Sequence, residues 1–256
     1  MRQLMKGTLP LVQYVHLLRS LALIYSALEK ALEKNATHPA VELIHFPKEL
    51  SRTKSLKADI EFLSKGPAAP CRCASVQAIV DRIEWICENE PHLLVAYSYV
   101  RYLGDMSGKL FFPQKTLSQS HESMTGGQFL SKKIQKTYQL ADKGYDFYLF
   151  DSVPEMDHFK NLYRARLDQI PKELQMSIAK EAFRLFKGHE AFFVEVFVSC
   201  PMACGRSSST PGHKQHSQQQ CAVVAPWVKD TCKRHGIGHA HVVLGVLAMG
   251  LALYAV

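Results

Sequence analysis

An all-α fold is what this chain of 256 residues predicts: one helical domain over residues 1–198, a flexible linker over 199–236 and a C-terminal transmembrane helix over 237–256. Three observations lead there. Along the body, apolar residues recur every three or four positions, the period of a helix with one buried face. Clusters of Gly, Pro and Asn interrupt that pattern at intervals of one helix length. The last fifteen residues, from Val242 to Val256, carry no charge.

The first helix carries Leu11, Val15, Leu18, Ala22, Tyr25 and Leu28 on its apolar side. Gly7, Thr8 and Pro10 suit its start, and the stretch from Asn35 to Pro39 stops it. A second helix follows Pro47 and ends near Gly66, where Gly66-Pro67-Ala68-Ala69-Pro70 reads as a loop. Ser75 suits the cap of a helix running to Asn89, with Val76, Ile79, Val80, Ile83 and Ile86 inward. The next helix runs from Pro91 to Gly108. The polar stretch from Lys109 to Thr125, with Pro113, Ser118, Ser120 and Ser123, breaks the pattern. Helical character returns from Gln128 to Leu140. An extended piece, Asp146–Phe150, leads to Ser152, which with Glu155 has the spacing of a capping box for a helix that ends before Pro171. A last long helix runs from Pro171 to Phe197. Residues 199–236 are rich in Ser, Gln, His, Gly and Pro without apolar period, the composition of a linker. No internal repeat is present.

Composition sets limits on function. Hydrophobic residues make up 47 % and charged residues 21 %, enough apolar side chains for one sizeable core. The net charge of +8 suits acidic partners without selecting one. Seven cysteines, an odd number in no dense framework, fit reduced thiols. Gln13, His16 and Arg19 interrupt the apolar stretch Leu9–Leu28, so it does not read as a secretory signal. At the other end, the apolar run extended back to Gly236 reaches about 20 residues, near the length that spans a bilayer. Lys229, Lys233 and Arg234 precede it, as on the cytosolic side of an anchor. Cys200, Cys204, His213, His216, Cys221, Cys232 and His235 have spacings that fit no standard zinc pattern.

The stretch from Tyr99 to Gly108 is the most informative. Gly104 and Gly108 lie four apart, on one helix face. A glycine inside a helix costs about 1 kcal/mol relative to alanine, so two on one face need a reason. Close helix packing is one; a flat ligand against the backbone is another. Lys160 and Arg164 also lie four apart, which by itself reads as a solvated basic face or as a cradle for carboxylates.

These residues carry a resemblance. The run Ala96–Gly108, AYSYVRYLGDMSG, resembles the distal helix of heme oxygenases, whose hallmark is Gly-Asp-hydrophobic-Ser-Gly-Gly after Arg-Tyr. Tyr25-Ser26-Ala27-Leu28-Glu29 is similar to that family's first long helix after the proximal one. His45-Phe46-Pro47-Lys48-Glu49-Leu50, Phe147-Tyr148-Leu149-Phe150 and Phe159-Lys160-Asn161-Leu162-Tyr163-Arg164-Ala165-Arg166 match further family segments in order. The similarity covers most of residues 1–198. It implies an enzyme that opens heme to biliverdin, carbon monoxide and iron, with heme as both substrate and cofactor. Dioxygen and electrons from NADPH through NADPH-cytochrome P450 reductase are the implied co-reactants. The implied location is the endoplasmic reticulum membrane with the catalytic domain facing the cytosol. Biliverdin reductase is a further implied partner, and nucleic acid is not one.

Residue by residue, the resemblance makes Asp105 the catalytic carboxylate that holds an ordered water on the oxygen side of heme. Tyr25 and Arg101 support it. Gly104 and Gly108 let the distal helix approach the heme face, and Tyr99, Lys160 and Arg164 grip the propionates. Cys200-Pro201 is similar to the Cys-Pro heme-responsive motifs of one subtype.

Two departures qualify this. Met1-Arg2 aligns just after the family's proximal helix, so no residue matches the iron-ligating histidine. His16 lies nine residues before Tyr25, about half a turn out of phase, and faces away from heme if Tyr25 faces it. His38, His45 and His92 fall in loops or at helix ends. Within the signature, Lys109 stands where a second glycine belongs, and the match resumes at Gly127-Gln128-Phe129-Leu130. Lys109–Gly126 therefore reads as an insertion, the trace of a retained intron or a faulty gene model; codons spelling GT and AG at its edges test this. A second reading follows: a catalytically impaired heme-binding or membrane-tethered interaction protein derived from the same family.

Overall fold

The computed structural model describes residue 4 and residues 6–64, 73–107 and 126–196. The described residues are helical, with no strand among them. Helix α1 is Leu11–Lys34, α2 Pro39–Glu42, α3 Pro47–Leu50, α4 Thr53–Leu63 and α5 Ala74–Asn89. One run then follows without a break: a 3₁₀ turn Pro91–Leu93, α6 Leu94–Ser98, a π-helical turn Tyr99–Leu103 and α7 Gly104–Ser107. Helix α8 is Gly126–Tyr138, a 3₁₀ turn covers Asp146–Tyr148, α9 is Met156–Leu167 and α10 Lys172–Val194.

Helix α1 is the centre. It packs on both α4 and α5, and α10 packs on α5 and α6. Leu18, Ile24, Tyr25 and Leu28 of α1 are fully buried, as the apolar period requires, and each such aliphatic side chain is worth about 1.5–3 kcal/mol. Leu11, at the ragged start of the stripe, is 39 % exposed. Among the described residues α1 alone is long and apolar enough to cross a membrane, and half of its apolar window is buried as a core helix.

The helix starts differ from the sequence expectation in a consistent way. Cys73, not Ser75, is the N-cap of α5, and its side chain makes no cap bond. The Glu195 carboxylate instead accepts from the Ala74 and Ser75 amides, both at 2.8 Å. Glu29 of α1 does the same for α4, taking the Arg52 and Thr53 amides at 2.6 and 3.0 Å. The stretch after Pro47 is accordingly two helices, α3 and α4. The expected extended piece Asp146–Phe150 is a 3₁₀ turn at its start, because Asp59 accepts from the Asp146 and Phe147 amides at 2.9 Å each. The capping box of Ser152 and Glu155 does not form; Glu155 is the N-cap of α9 and gives no side-chain bond. A carboxylate reaching across from another helix satisfies orphan amides as well as a local cap does, for about 1 kcal/mol each. Such a device has no local sequence signal.

The expected linker 199–236, the expected transmembrane helix 237–256, Gly108, and residues 109–125 of the expected insertion lie outside the described residues.

Candidate active site

The run from Pro91 to Ser107 carries the site. Its π turn places one extra residue in a helical turn beside Asp105, a distortion that often marks functional positions. Val100, Arg101, Tyr102 and Leu103 of that turn are all buried, so packing on every side holds it. Gly104 follows immediately and is buried too.

Across from this turn stands Tyr25 of α1, fully buried. Its hydroxyl donates to Asp105 Oδ2. The Tyr25 ring is held by Tyr102, with centroids 5.7 Å apart, and edge-on by Phe147 at 5.6 Å. Arg101 lies beside both, its guanidinium carbon 6.0 Å from the Tyr25 ring centroid. Arg101 is only 7 % exposed, and its Nε and Nη2 have no acceptor from the protein.

The electrostatics follow from this packing. Burial pushes the Asp105 carboxyl up to about 6, against the Tyr25 hydrogen bond and the positive charges of Arg101 and Arg52, which pull it down. Burial and the neighbouring Asp105 charge push the Tyr25 phenol well above its ordinary range, so it stays a donor. The result is a carboxyl that exchanges a proton near neutral pH, held in one orientation by a phenol that does not ionise.

Helix α9 forms a second wall. The Tyr163 hydroxyl and Ser98 Oγ lie 2.7 Å apart and lock α9 to α6. This brings Arg164 to Tyr99: the half-buried phenol is pushed up by burial, and the Arg164 charge offsets part of that. Arg164 also donates to Asn161 Oδ1 at 3.1 Å. Lys160 lies one turn before Arg164 on the same helix. Its Nζ is paired with Asp157 Oδ1 at 2.6 Å, one turn back on α9, where Asp157 is 77 % exposed.

From residue 126 onward the chain returns to the site. A methyl at Gly127 would lie 2.5 Å from the Tyr148 carbonyl oxygen and 3.6 Å from that of Asp105. Only glycine lets the start of α8 close against the 3₁₀ turn at Tyr148, while the contact with the end of the distal run at Asp105 is an ordinary one.

His16, His38, His45 and His92 have the following surroundings. His16 Nε2 is 3.4 Å from Cys73 Sγ, away from Tyr25 as its phase predicts. The His38 ring accepts from the Ala40 amide at 3.2 Å, and His45 pairs with Glu33 at 3.3 Å. His92 sits in the 3₁₀ turn that opens the run, its imidazole pushed down by burial.

Sequence reasoning missed a polar seam between the distal run and α10. The Tyr97 hydroxyl donates to Glu181 Oε1 at 3.3 Å. Arg82 clamps the same carboxylate with two bonds, of 3.1 and 2.8 Å. His189, two turns along α10, has a sealed Nε2 without a protein partner. One signal was available: Tyr97, Arg101 and Asp105 are spaced by four, and Glu181 and His189 by eight.

Comparison with known proteins bears on this geometry. The heme oxygenase family model matches residues 1–195. A heme oxygenase 2 from Oryctolagus cuniculus is 35 % identical over 178 residues, covering 67 % of this chain and 51 % of that protein. The chain thus spans about half the length of the relatives of that kind. Among solved structures, the heme oxygenase of Leptospira interrogans gives a TM-score of 0.65 at 32 % identity, covering 76 % of this chain and 88 % of that one. A Synechocystis heme oxygenase-1 in complex with heme gives 0.64 at 32 % identity, covering 76 % and 81 %.

Proposed function

This chain belongs to the heme oxygenase family, and we propose that it cleaves heme oxidatively to biliverdin, carbon monoxide and iron, using dioxygen and electrons that a reductase passes on from NADPH. The observation that carries this reading is the buried Tyr25–Asp105 pair beside Arg101, on a helix that begins again at Gly104 after a π turn.

The residues present fit a heme. Arg101 offers two sealed donors with no acceptor of the protein's own. Gly104 keeps one position of the distal run free of a side chain. Tyr99 and Arg164 sit together as a neutral donor and a cation, the pair a carboxylate edge needs. Lys160 is the third propionate-binding residue of this reading. Its side chain is 13 % exposed and its ammonium pairs with the exposed Asp157 of its own helix, a partner that a propionate would replace. When bound, heme supplies the iron at which dioxygen is reduced and the porphyrin edge that is oxidised. Asp105 supplies protons through water on that side, from a carboxyl poised at about 6. Tyr25 orients the carboxylate, and Arg101 stabilises its charged form. Gly108 has its role in this reading as the second small residue of the distal face.

Partners and place complete the reading. A net charge of +8 supports docking to an acidic reductase, NADPH-cytochrome P450 reductase, and biliverdin reductase takes the product. The uncharged stretch at 237–256 anchors the chain in the endoplasmic reticulum membrane, with the basic residues before it on the cytosolic side.

The experiment is heme titration of the full chain in detergent, followed by reductase, NADPH and oxygen. The expected result is a saturable Soret band that decays while biliverdin and carbon monoxide appear. A Soret band that forms and then persists under these conditions would leave a heme-binding protein and remove the enzyme.

A further inference from the structure

Asp59 is a buried carboxylate that takes no part in the proton chemistry proposed for Asp105. It stands on α4, 1 % exposed, and burial pushes its carboxyl up to about 6 while the amides it accepts from pull it down. A charge kept out of water at such a cost needs a reason. Its two oxygens take one amide each: Oδ1 accepts from Asp146 and Oδ2 from Phe147, both at 2.9 Å. Helix α4 thereby fixes the 3₁₀ turn Asp146–Tyr148 at two successive residues, the second of which is Phe147 itself.

The turn meets the site through one ring. Phe147 is buried, and its ring stands edge-on to Tyr25, with centroids 5.6 Å apart. The Tyr148 ring packs on Phe147 at 4.9 Å, and the Tyr148 carbonyl lies against Gly127 at the start of α8. Tyr102 also packs on Tyr25, at 5.7 Å, but it belongs to the distal run that carries Asp105. Phe147 is thus a wall of Tyr25 that comes from outside both α1 and the distal run, and Asp59 sets where that wall stands. Tyr25 in turn donates to Asp105 Oδ2. The charges acting on the Asp105 carboxyl are those of Arg101 and Arg52, so Asp59 reaches the site by packing.

We infer that Asp59 is a positioning residue of the active site: by holding the Phe147 amide it keeps the Phe147 ring against Tyr25, and so the Tyr25 hydroxyl on Asp105. The catalytic meaning rests on the function proposed above; the link from Asp59 to the Tyr25 ring does not. A carboxylate suits this place because it presents an acceptor to each amide. Asparagine has the same shape but turns one acceptor into a donor, which then faces an amide N–H.

The test compares wild type, D59N, F147L and the double variant as full chains in detergent, each checked for folding by circular dichroism. In the heme-free proteins, hydrogen exchange reads the Asp146 and Phe147 amides, and NMR reads the contact between the Phe147 and Tyr25 rings. D59N should speed exchange of at least one of the two amides about tenfold, the scale of one buried hydrogen bond, and lose the ring contact. With heme, reductase and NADPH, D59N and F147L should each lower kcat about tenfold with KM unchanged. The double variant should be no slower than F147L, because both changes act on one ring. A ring contact retained in D59N, full kcat in D59N or F147L, or losses that multiply in the double variant overturn the inference. Should D59N not fold, F147L still decides, since full kcat there breaks the link to Tyr25. Failure of wild type to turn over heme overturns the proposed activity instead, and the ring contact in D59N still decides the part played by Asp59.

Discussion

Replacing Asp105 with asparagine separates stability from activity in this site. The Asp105 carboxyl stands at about 6 when folded, against roughly 3.9 for an aspartate in an unfolded chain. Below about pH 4 it is neutral in both states, and folding suffers no loss from it. As pH rises further, the unfolded chain ionises first, so folding stability falls until the folded carboxyl also ionises near 6. The full shift of about two units corresponds to ~3 kcal/mol at pH 8; partial exposure of Asp105 reduces this to an expected range of about 1–3 kcal/mol. Asparagine keeps a carbonyl oxygen to accept the Tyr25 hydroxyl but never ionises. The variant should therefore gain about 1–3 kcal/mol over wild type at pH 8, lose most of that gain at pH 4, and turn over no heme. Asp59 also stands at about 6, but it is present in both proteins and cancels in the difference. Urea denaturation of both proteins at the two pH values reads the effect directly. A stability difference that is the same at pH 4 and pH 8 would refute the claim that Asp105 is strained by burial.

Two other outcomes follow from packing and charge. Gly127→Ala places a methyl 2.5 Å from the Tyr148 carbonyl oxygen, a backbone atom that cannot rotate away, and should cost about 1–3 kcal/mol in urea midpoint measurements. Arg164→Ala removes the cation beside Tyr99 and should weaken heme affinity roughly tenfold in a Soret titration, while the melting temperature hardly moves because the Arg164 hydrogen bond among the described residues is an exposed one, to Asn161 on its own helix.

Much of the site was legible in the chain because its residues sit on strongly periodic helices. Tyr25 falls on the apolar stripe of α1, so its burial follows from phase, and the same phase turns His16 away. The partnership of Tyr25 with Asp105 came from resemblance, since eighty positions separate them and no spacing rule spans that distance. The resemblance names Lys160 but not its partner: its ammonium pairs with Asp157, one turn back on the same helix. His189 escaped notice because a histidine on a long amphipathic helix has no local mark, and only the packing of α10 shows that its Nε2 is sealed.

The apolar period, read along the chain, determined the all-helical class, the order of the helices and the buried face of α1, because each is set by side chains three or four residues apart. Tertiary structure decided where several helices begin and what the site can do. Glu29, Glu195 and Asp59 reach across from other elements to take the amides that open α4, α5 and the turn at Asp146. Burial between α1 and the π turn raises the Asp105 carboxyl to about 6, a property that no neighbour in sequence confers. Both effects depend on desolvated charges meeting partners from distant parts of the chain, and a linear pattern carries no record of which distant groups will meet.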